Sequence, residues 1–276
     1  MDKVALIAGK GKLPYYWVKT AVKNDIKPYI FKIAEEDTLS FDKYTNKSFE
    51  IELGQIDRLF ELLHEYGLKK VVFAGKVEKN NLFQLDLDQR MKKILAGLKD
   101  YNDDTILRAI AAEFAKEGIK VISQSYGLDD FLVKVGKLND VKIDDKLFNE
   151  MEFAFLQAFE IGKLDIGQTV LTKDKTVVAV EAMEGTDKAI LRAGEIAGEG
   201  VVMAKVCKKE QDMRFDIPTV GLETIKNLQK IGAKALILEA DKTFILDEDD
   251  FLKIAKRAGI AVYAARYNAG GVRWDG

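Results

Sequence analysis

The chain is expected to fold as an α/β protein in two parts: a parallel-sheet N-terminal domain over residues 1–133 and a distinct mixed α/β C-terminal domain over 134–276. Three observations carry this expectation. Short apolar runs rich in β-branched residues alternate with amphipathic helical patterns through the first half. The stretch Leu132–Asp145 loses that period and gathers charge at Lys134, Lys137, Asp140, Lys142, Asp144 and Asp145, which marks the boundary. Beyond it comes a hairpin, Thr169–Thr172 and Thr176–Val180, joined by Lys173-Asp174-Lys175. At 276 residues there is room for two such domains.

Taken in order, the first-half strands are Val4–Ala8, Pro28–Ile33, Val71–Ala74 and Lys120–Ser123. The helices between them are Leu13–Asn24, Ile56–Tyr66 and Thr105–Glu117. Parallel strands need crossover helices, so the alternation describes a Rossmann-like layering. Gly9-Lys10-Gly11-Lys12-Leu13-Pro14 follows the first strand. It keeps a Gly-x-Gly, but Pro14 stands where the third glycine of a dinucleotide fingerprint falls, and no acidic residue closes the second strand run, whose Lys32 is basic. An NAD site is therefore not read here. A phosphate at the helix N-terminus beside Lys10 and Lys12, or simply a tight turn, fits equally well. Gly75-Lys76-Val77 follows the Val71–Ala74 strand, at an end where open α/β sheets bind ligands. Asn102-Asp103-Asp104-Thr105 precedes a helix with Ile106, Ile110 and Phe114 on its apolar face; helix capping alone explains the two aspartates, and paired aspartates facing a cleft could also bind a metal.

In the second half, Lys146–Ile161 is a helix with a broad apolar face of Phe148, Met151, Phe155, Ala158 and Phe159. After the hairpin, Thr186 or Asp187 is placed to cap a helix over Lys188–Ala197. Gly185, Thr186 and the free helix N–H groups make a second phosphate cradle, with Glu181 and Glu184 just outside it. A run Val201–Val206, a helix Leu222–Ile231, a strand Ala235–Glu239, a helix Glu248–Ala258 and a last strand Ile260–Ala264 complete the pattern. The tail Arg266–Gly276 shows little periodicity.

Composition limits the chemistry. The net charge of −2 argues against a dedicated nucleic-acid binder. The one cysteine, Cys207, excludes a disulfide framework and reads as a buried strand thiol. No apolar run approaches the ~20 residues of a membrane span, and the first strand is too short and too acidic for a signal peptide. The sole histidine, His64, lies near the end of a helix whose apolar stripe is Ile56, Leu59, Phe60 and Leu63, a surface position. A Ser-His-Asp triad or a zinc site would have to use it. Carboxylates are left as the acids, bases and ligands, and any metal would be a hard, oxygen-ligated cation.

The segment Lys205–Gly221 is where such carboxylates stand beside cations. Met213, Phe215 and Ile217 alternate with Asp212, Arg214 and Asp216, a period of two that predicts an extended strand with one buried face. On that strand the three charged residues would share the other face, about 7 Å between neighbours. Lys205, Lys208 and Lys209 precede them. Carboxylates to hold a cation or orient water, with cations for phosphoryl oxygens, suit a phosphate-bearing substrate. A solvated strand face with a salt bridge is the plain alternative.

Three segments together, Asp165-Ile166-Gly167-Gln168, Ala179–Asp187 and Gln211–Gly221, resemble the UDP-2,3-diacylglucosamine pyrophosphatases of the LpxI type. Gly9–Pro14, Gly75–Val77 and Asp103-Asp104 fall where that family has its N-terminal motifs. The chain departs from the family in its tail after Ala264 and in Lys209-Glu210, which replaces an expected Pro-Gly. The resemblance implies an enzyme of lipid A biosynthesis that cleaves its UDP-linked diacyl glucosamine lipid to 2,3-diacylglucosamine 1-phosphate (lipid X) and UMP with Mg²⁺ or Mn²⁺. It implies a cytoplasmic homodimer, with peripheral contact at the inner face of the inner membrane and no transmembrane anchor. Asp212 and Asp216 would hold the metal and take part in catalysis with Arg214 and Lys205. Substrate contacts would come from Gly9, Gly11, Leu13, Pro14, Gly75, Lys76 and Asp104, and from Gln168, Glu184, Gly185, Thr186, Asp187, Lys208, Gln211 and Thr219. The acyl chains would need an apolar cavity, lined in part by Phe148, Phe155 or Phe159. A non-catalytic nucleotide- or lipid-binding protein using the same cradles is the alternative.

Overall fold

The computed structural model describes residues 2–33, 40–77, 86–101, 103–209, 211–268 and 271–274, with the backbone alone at 103 and 104. The chain forms two compact units. The first comprises residues 1–129 and 212–216, the second 130–211 and 217–276.

In the first unit β1 (Asp2–Ala8), β2 (Ile26–Ile33), β3 (Ser48–Ile51), β4 (Lys70–Ala74) and β5 (Lys120–Val121) make one sheet. Its order is β3-β2-β1-β4-β5 and every pairing is parallel. The helices are α1 (Leu13–Lys23), α2 (Ile56–Glu65), α3 (Gln89–Ala96) and α4 (Asp103–Lys116). Central β1 is buried without interruption from Val4 to Ala8, the pattern of a strand covered on both faces. The apolar stripe of α2 enters the same core as Phe31, Val71 and Phe114. Each large side chain so buried contributes about 1.5–3 kcal/mol. From β1 the chain winds outward through β2 and β3, then returns to the other side of β1 with β4 and β5. The carboxyl ends at such a reversal form a crevice where open α/β sheets bind ligands.

The second unit holds β6 (Gly136–Lys137), α5 (Asp145–Lys163), β7 (Thr169–Lys173), β8 (Thr176–Val180), α6 (Thr186–Ala197), β9 (Val202–Lys205), β10 (Thr219–Val220), α7 (Leu222–Lys230), β11 (Ala235–Glu239), β12 (Phe244–Ile245), α8 (Glu248–Arg257), β13 (Ala261–Asn268) and β14 (Gly271–Arg273). Its main sheet runs β14-β13-β11-β9-β7-β8, with β6 paired to β13. The β9-β11-β13 centre is parallel and the flanking pairings are antiparallel, so the sheet is mixed. The two faces follow the strand period. Val202 and Ala204 pack with α5 through Met151, Ala154 and Phe155, whereas Met203 packs with α6, α7 and α8. β10 and β12 form a separate parallel pair.

Several expectations are corrected here. The last strand continues to Asn268, and the tail returns as β14. β3 and α3 were not legible as periodic segments: β3 buries only Ile51, and α3 only Met91 and Leu95. Phe155 is fully buried in the core of the second unit. Phe148 packs on Trp274 at 4.6 Å between ring centroids, and Phe159 on Tyr267 at 4.7 Å.

Candidate active site

Two clusters gather most of the sequence-predicted residues, one in each unit. In the first unit the turn after β1 and the turn after β4 lock together. Gly9 N donates to Ala74 O at 2.9 Å, Lys10 N to Lys76 O at 2.8 Å, and Lys76 N to Lys10 O at 3.0 Å. This approach leaves no room for side chains: a Cβ at Gly75, whose φ is +90°, would lie 2.7 Å from backbone atoms of Gly9 and Lys10. The pair of turns carries Lys10 and Lys76 to the carboxyl edge of the sheet at its reversal. Leu13 and Pro14 open α1, where a proline forfeits no helical hydrogen bond.

The segment Asp212–Asp216 belongs to this same unit and is a turn, not the expected strand. Phe215 N and Asp216 N both donate to Asp212 O, at 2.9 and 3.2 Å, and the Asp212 carboxylate accepts from Arg214 N at 3.0 Å. An aspartate that bonds the backbone two residues on offers a local alternative to a strand ladder. The ~7 Å separation expected between Asp212 and Arg214 is replaced by direct pairing: Arg214 Nε and Nη2 reach the two Asp212 oxygens, the closest contact at 2.6 Å. Asp216 is exposed. Residues after β5 hold the segment, with Gln124 N donating to Met213 O at 3.0 Å and Gln124 Nε2 to Phe215 O at 3.2 Å and Phe73 O at 3.0 Å. Phe215 enters the core edge-on to Phe73, with 5.6 Å between centroids. Hydrogen bonding from Arg214, opposed by burial and aided by the charges of Arg214 and Arg108, holds the Asp212 carboxyl below the usual carboxylate range. Asp212 is thus a fixed, ionised carboxylate on a turn held by the residues that follow β5. Gln124, Ser123 and Arg108 were not singled out from sequence; the strand-end rule applied to β5 would have found the first two.

In the second unit, Lys205 is 2 % exposed. Its Nζ donates to Thr186 Oγ1 at 2.8 Å and Thr169 Oγ1 at 3.2 Å, and lies 3.6 Å from Glu181 Oε2. Thr186 Oγ1 in turn donates to Glu181 Oε1 at 2.7 Å. The helix starts earlier than expected: Thr186 is its first residue and Gly185 its N-cap, with no side-chain cap. Glu184 pairs with Arg192 and accepts from Ala182 N; the Arg192 bond first, then its own backbone N–H and that of Ala182, hold its carboxyl below the ordinary range. Asp187 accepts from Asn227 Nδ2 at 3.1 Å, and Lys208 pairs with Asp165 at 2.8 Å. Gln211 Oε1 accepts from Lys208 N, and Val206 N donates to Gln168 O. The Thr219 hydroxyl donates to Ile217 O. Gly11 is in open space, and the Asp104 side chain lies outside the described residues. A cavity of about 630 Å³ opens beside the start of α5, and none of these motif residues lines it.

The family model of the LpxI N-terminal domain matches residues 3–131 and that of the LpxI C-terminal domain residues 134–263. The chain belongs to the LpxI family. A curated relative, the UDP-2,3-diacylglucosamine pyrophosphatase LpxI of Caulobacter vibrioides, is 29 % identical over 273 residues, covering 95 % of this chain and 97 % of its own. Among solved structures, two forms of Acinetobacter baumannii RibD align at 17 % and 16 % identity over 42 % and 43 % of this chain and 35 % and 36 % of theirs, each with a TM-score of 0.27. Those two alignments carry no argument. The N-terminal LpxI match covers the two interlocked turns, and the C-terminal match covers both the Lys205 network and the Asp212 turn.

Both Asp212 oxygens are taken up by the Arg214 guanidinium. Among the described residues no group of three or more His, Cys, Asp or Glu side chains forms a cage. Asp212 and Asp216 on one turn are the kind of pair that suits Mg²⁺, which takes one or two carboxylates and completes its shell with water and substrate phosphate. No described helix is long and apolar enough to cross a membrane.

Proposed function

We propose that this LpxI chain hydrolyses the pyrophosphate of UDP-2,3-diacylglucosamine to 2,3-diacylglucosamine 1-phosphate (lipid X) and UMP, a step of lipid A biosynthesis. The observation that carries the reading is the match to both LpxI domains in order, together with a relative of that activity aligned over 97 % of its length. The first unit is read as a Rossmann-like domain of residues 1–133 on its strand order, and residues 134–276 as the C-terminal domain.

In the reaction, water adds to one phosphorus, the bridging P–O bond breaks, and two monophosphates leave. Asp212, kept ionised by Arg214, orients that water or holds the cation with Asp216. Arg214, Lys10 and Lys76 supply positive charge where phosphoryl oxygens gain negative charge. Mg²⁺, or Mn²⁺, would add Lewis-acid stabilisation of the same oxygens. In the second unit, Thr186 and Lys205 form an anion cradle at the start of α6. Cytoplasmic location, a homodimer and peripheral contact with the inner membrane complete the proposal, which the diacyl substrate supports.

The test is release of UMP from UDP-2,3-diacylglucosamine by the purified chain, with Mg²⁺ and then with EDTA, read by mass spectrometry. Release that EDTA abolishes is expected. No release under either condition would leave a binding protein, and release unaffected by EDTA would remove the metal from the scheme.

A further inference from the structure

Among the described residues of the second unit three glutamates are buried, and two of them are fully bonded. Glu150 accepts from Thr172 Oγ1 at 2.7 Å on one oxygen and from Lys175 N at 2.8 Å on the other. Glu239 accepts from Cys207 N and pairs with Lys242, both at 2.8 Å. Glu181, 8 % exposed, differs. Its Oε1 takes the Thr186 hydroxyl, but its Oε2 is buried with no hydrogen-bond partner. Its backbone is fixed independently of that side chain. Glu181 N donates to Thr169 O at 2.9 Å, and a Cβ on Gly167 would sit 1.9 Å from Glu181 O, so only glycine lets the two loops meet. That oxygen instead faces the Lys205 ammonium at 3.6 Å, an ion pair beyond hydrogen-bond distance.

We infer that Glu181 is a positioning residue for the phosphate cradle: it aims the Thr186 hydroxyl and lies against the Lys205 ammonium at the start of α6. The inference rests on the reading of that helix start as a phosphate site. The geometry is a triangle in which Lys205 donates to Thr186, Thr186 donates to Glu181, and Glu181 Oε2 faces Lys205 at 3.6 Å. Bonding to Glu181 fixes the rotor of Thr186. The other acids on adjoining elements are engaged elsewhere, Glu239 with Cys207 and Lys242, Asp187 with Asn227, and Glu184 with Arg192.

The test measures inorganic pyrophosphate binding by calorimetry, and kcat and KM, for the wild type and for Glu181→Gln at a temperature where both are folded. Pyrophosphate affinity and kcat/KM are expected to fall at least tenfold. The loss is expected in KM more than in kcat, as weakening a contact made in both ground and transition state predicts. Affinity within twofold of wild type, or a wild type that binds no pyrophosphate, would overturn the inference. If Glu181→Gln does not fold, Glu181→Asp keeps the charge but shortens the reach. A folded Glu181→Asp with at least threefold weaker binding is expected, and one with unchanged binding would overturn the inference. Pyrophosphate binding that depends on Glu181 in a protein without turnover would defeat the proposed reaction and leave this inference standing.

Discussion

Phe215→Ala separates the structural from the chemical contribution of the Asp212–Asp216 turn. The ring is only 8 % exposed, lies in the core of the first unit, and meets Phe73 edge-on. Truncating a buried phenylalanine costs about 3–5 kcal/mol. The edge-to-face contact accounts for roughly 0.5–1.5 kcal/mol of that. For a unit of this size, such a loss lowers the melting temperature by roughly 10–20 °C. Urea unfolding followed by circular dichroism gives the free energy, and a thermal scan gives the shift. A loss below about 1 kcal/mol would refute the placement of this segment in the first unit's core, because an exposed ring costs little to remove.

Gly167→Ala forces a Cβ to within 1.9 Å of the Glu181 carbonyl oxygen, where only backbone movement gives relief. A loss of about 1–3 kcal/mol is expected in denaturant unfolding, and a variant as stable as wild type would contradict the close approach. His64 bonds the Glu117 carboxylate at 2.9 Å with 45 % of its side chain exposed. His64→Ala should therefore keep stability within about 1 kcal/mol and kcat within a few fold, whereas a ~100-fold loss of rate would bring histidine into the chemistry. Arg214 is the main reason the Asp212 carboxyl titrates low, and a lowered pKa stabilises the fold above the ordinary carboxylate range, a gain lost as pH falls through the lowered value. Arg214→Gln should move the acid limb of both stability and rate upward in pH, and unmoved limbs would disconnect the pair.

The open α/β architecture was readable because its strands are bounded by glycine turns and its helices carry one apolar stripe, as at Ile56, Leu59, Phe60 and Leu63. The short β3 and α3 bury too little to leave a period. The Asp212 turn misled for a physical reason. The alternation of Met213, Phe215 and Ile217 is real, but Phe215 belongs to the first unit and Ile217 to the second, so no single strand face joins them. The local bonds of Asp212 to Arg214 and Phe215 then outweigh β-propensity. The Gly9 and Gly75 turns were legible one by one, but their interlocking depends on the parallel order of β1 and β4, which spacing does not encode. Lys205 was read as a cation for phosphate. Its burial against Glu181, Thr169 and Thr186 appears only when β7, β9 and α6 are assembled.

The central claim is that an ionised Asp212 serves cleavage of a UDP-linked diacyl glucosamine. The most direct measurement compares initial rates of UMP release by wild type and Asp212→Asn, at equal folded concentration and saturating Mg²⁺. Because the substitution removes no core packing, stability should change by less than about 1 kcal/mol. The rate should fall by ~100-fold or more, the scale of losing one electrostatic stabiliser of a transition state. A stable Asp212→Asn with the wild-type rate would contradict the account and reduce the Asp212–Arg214 pair to a surface salt bridge.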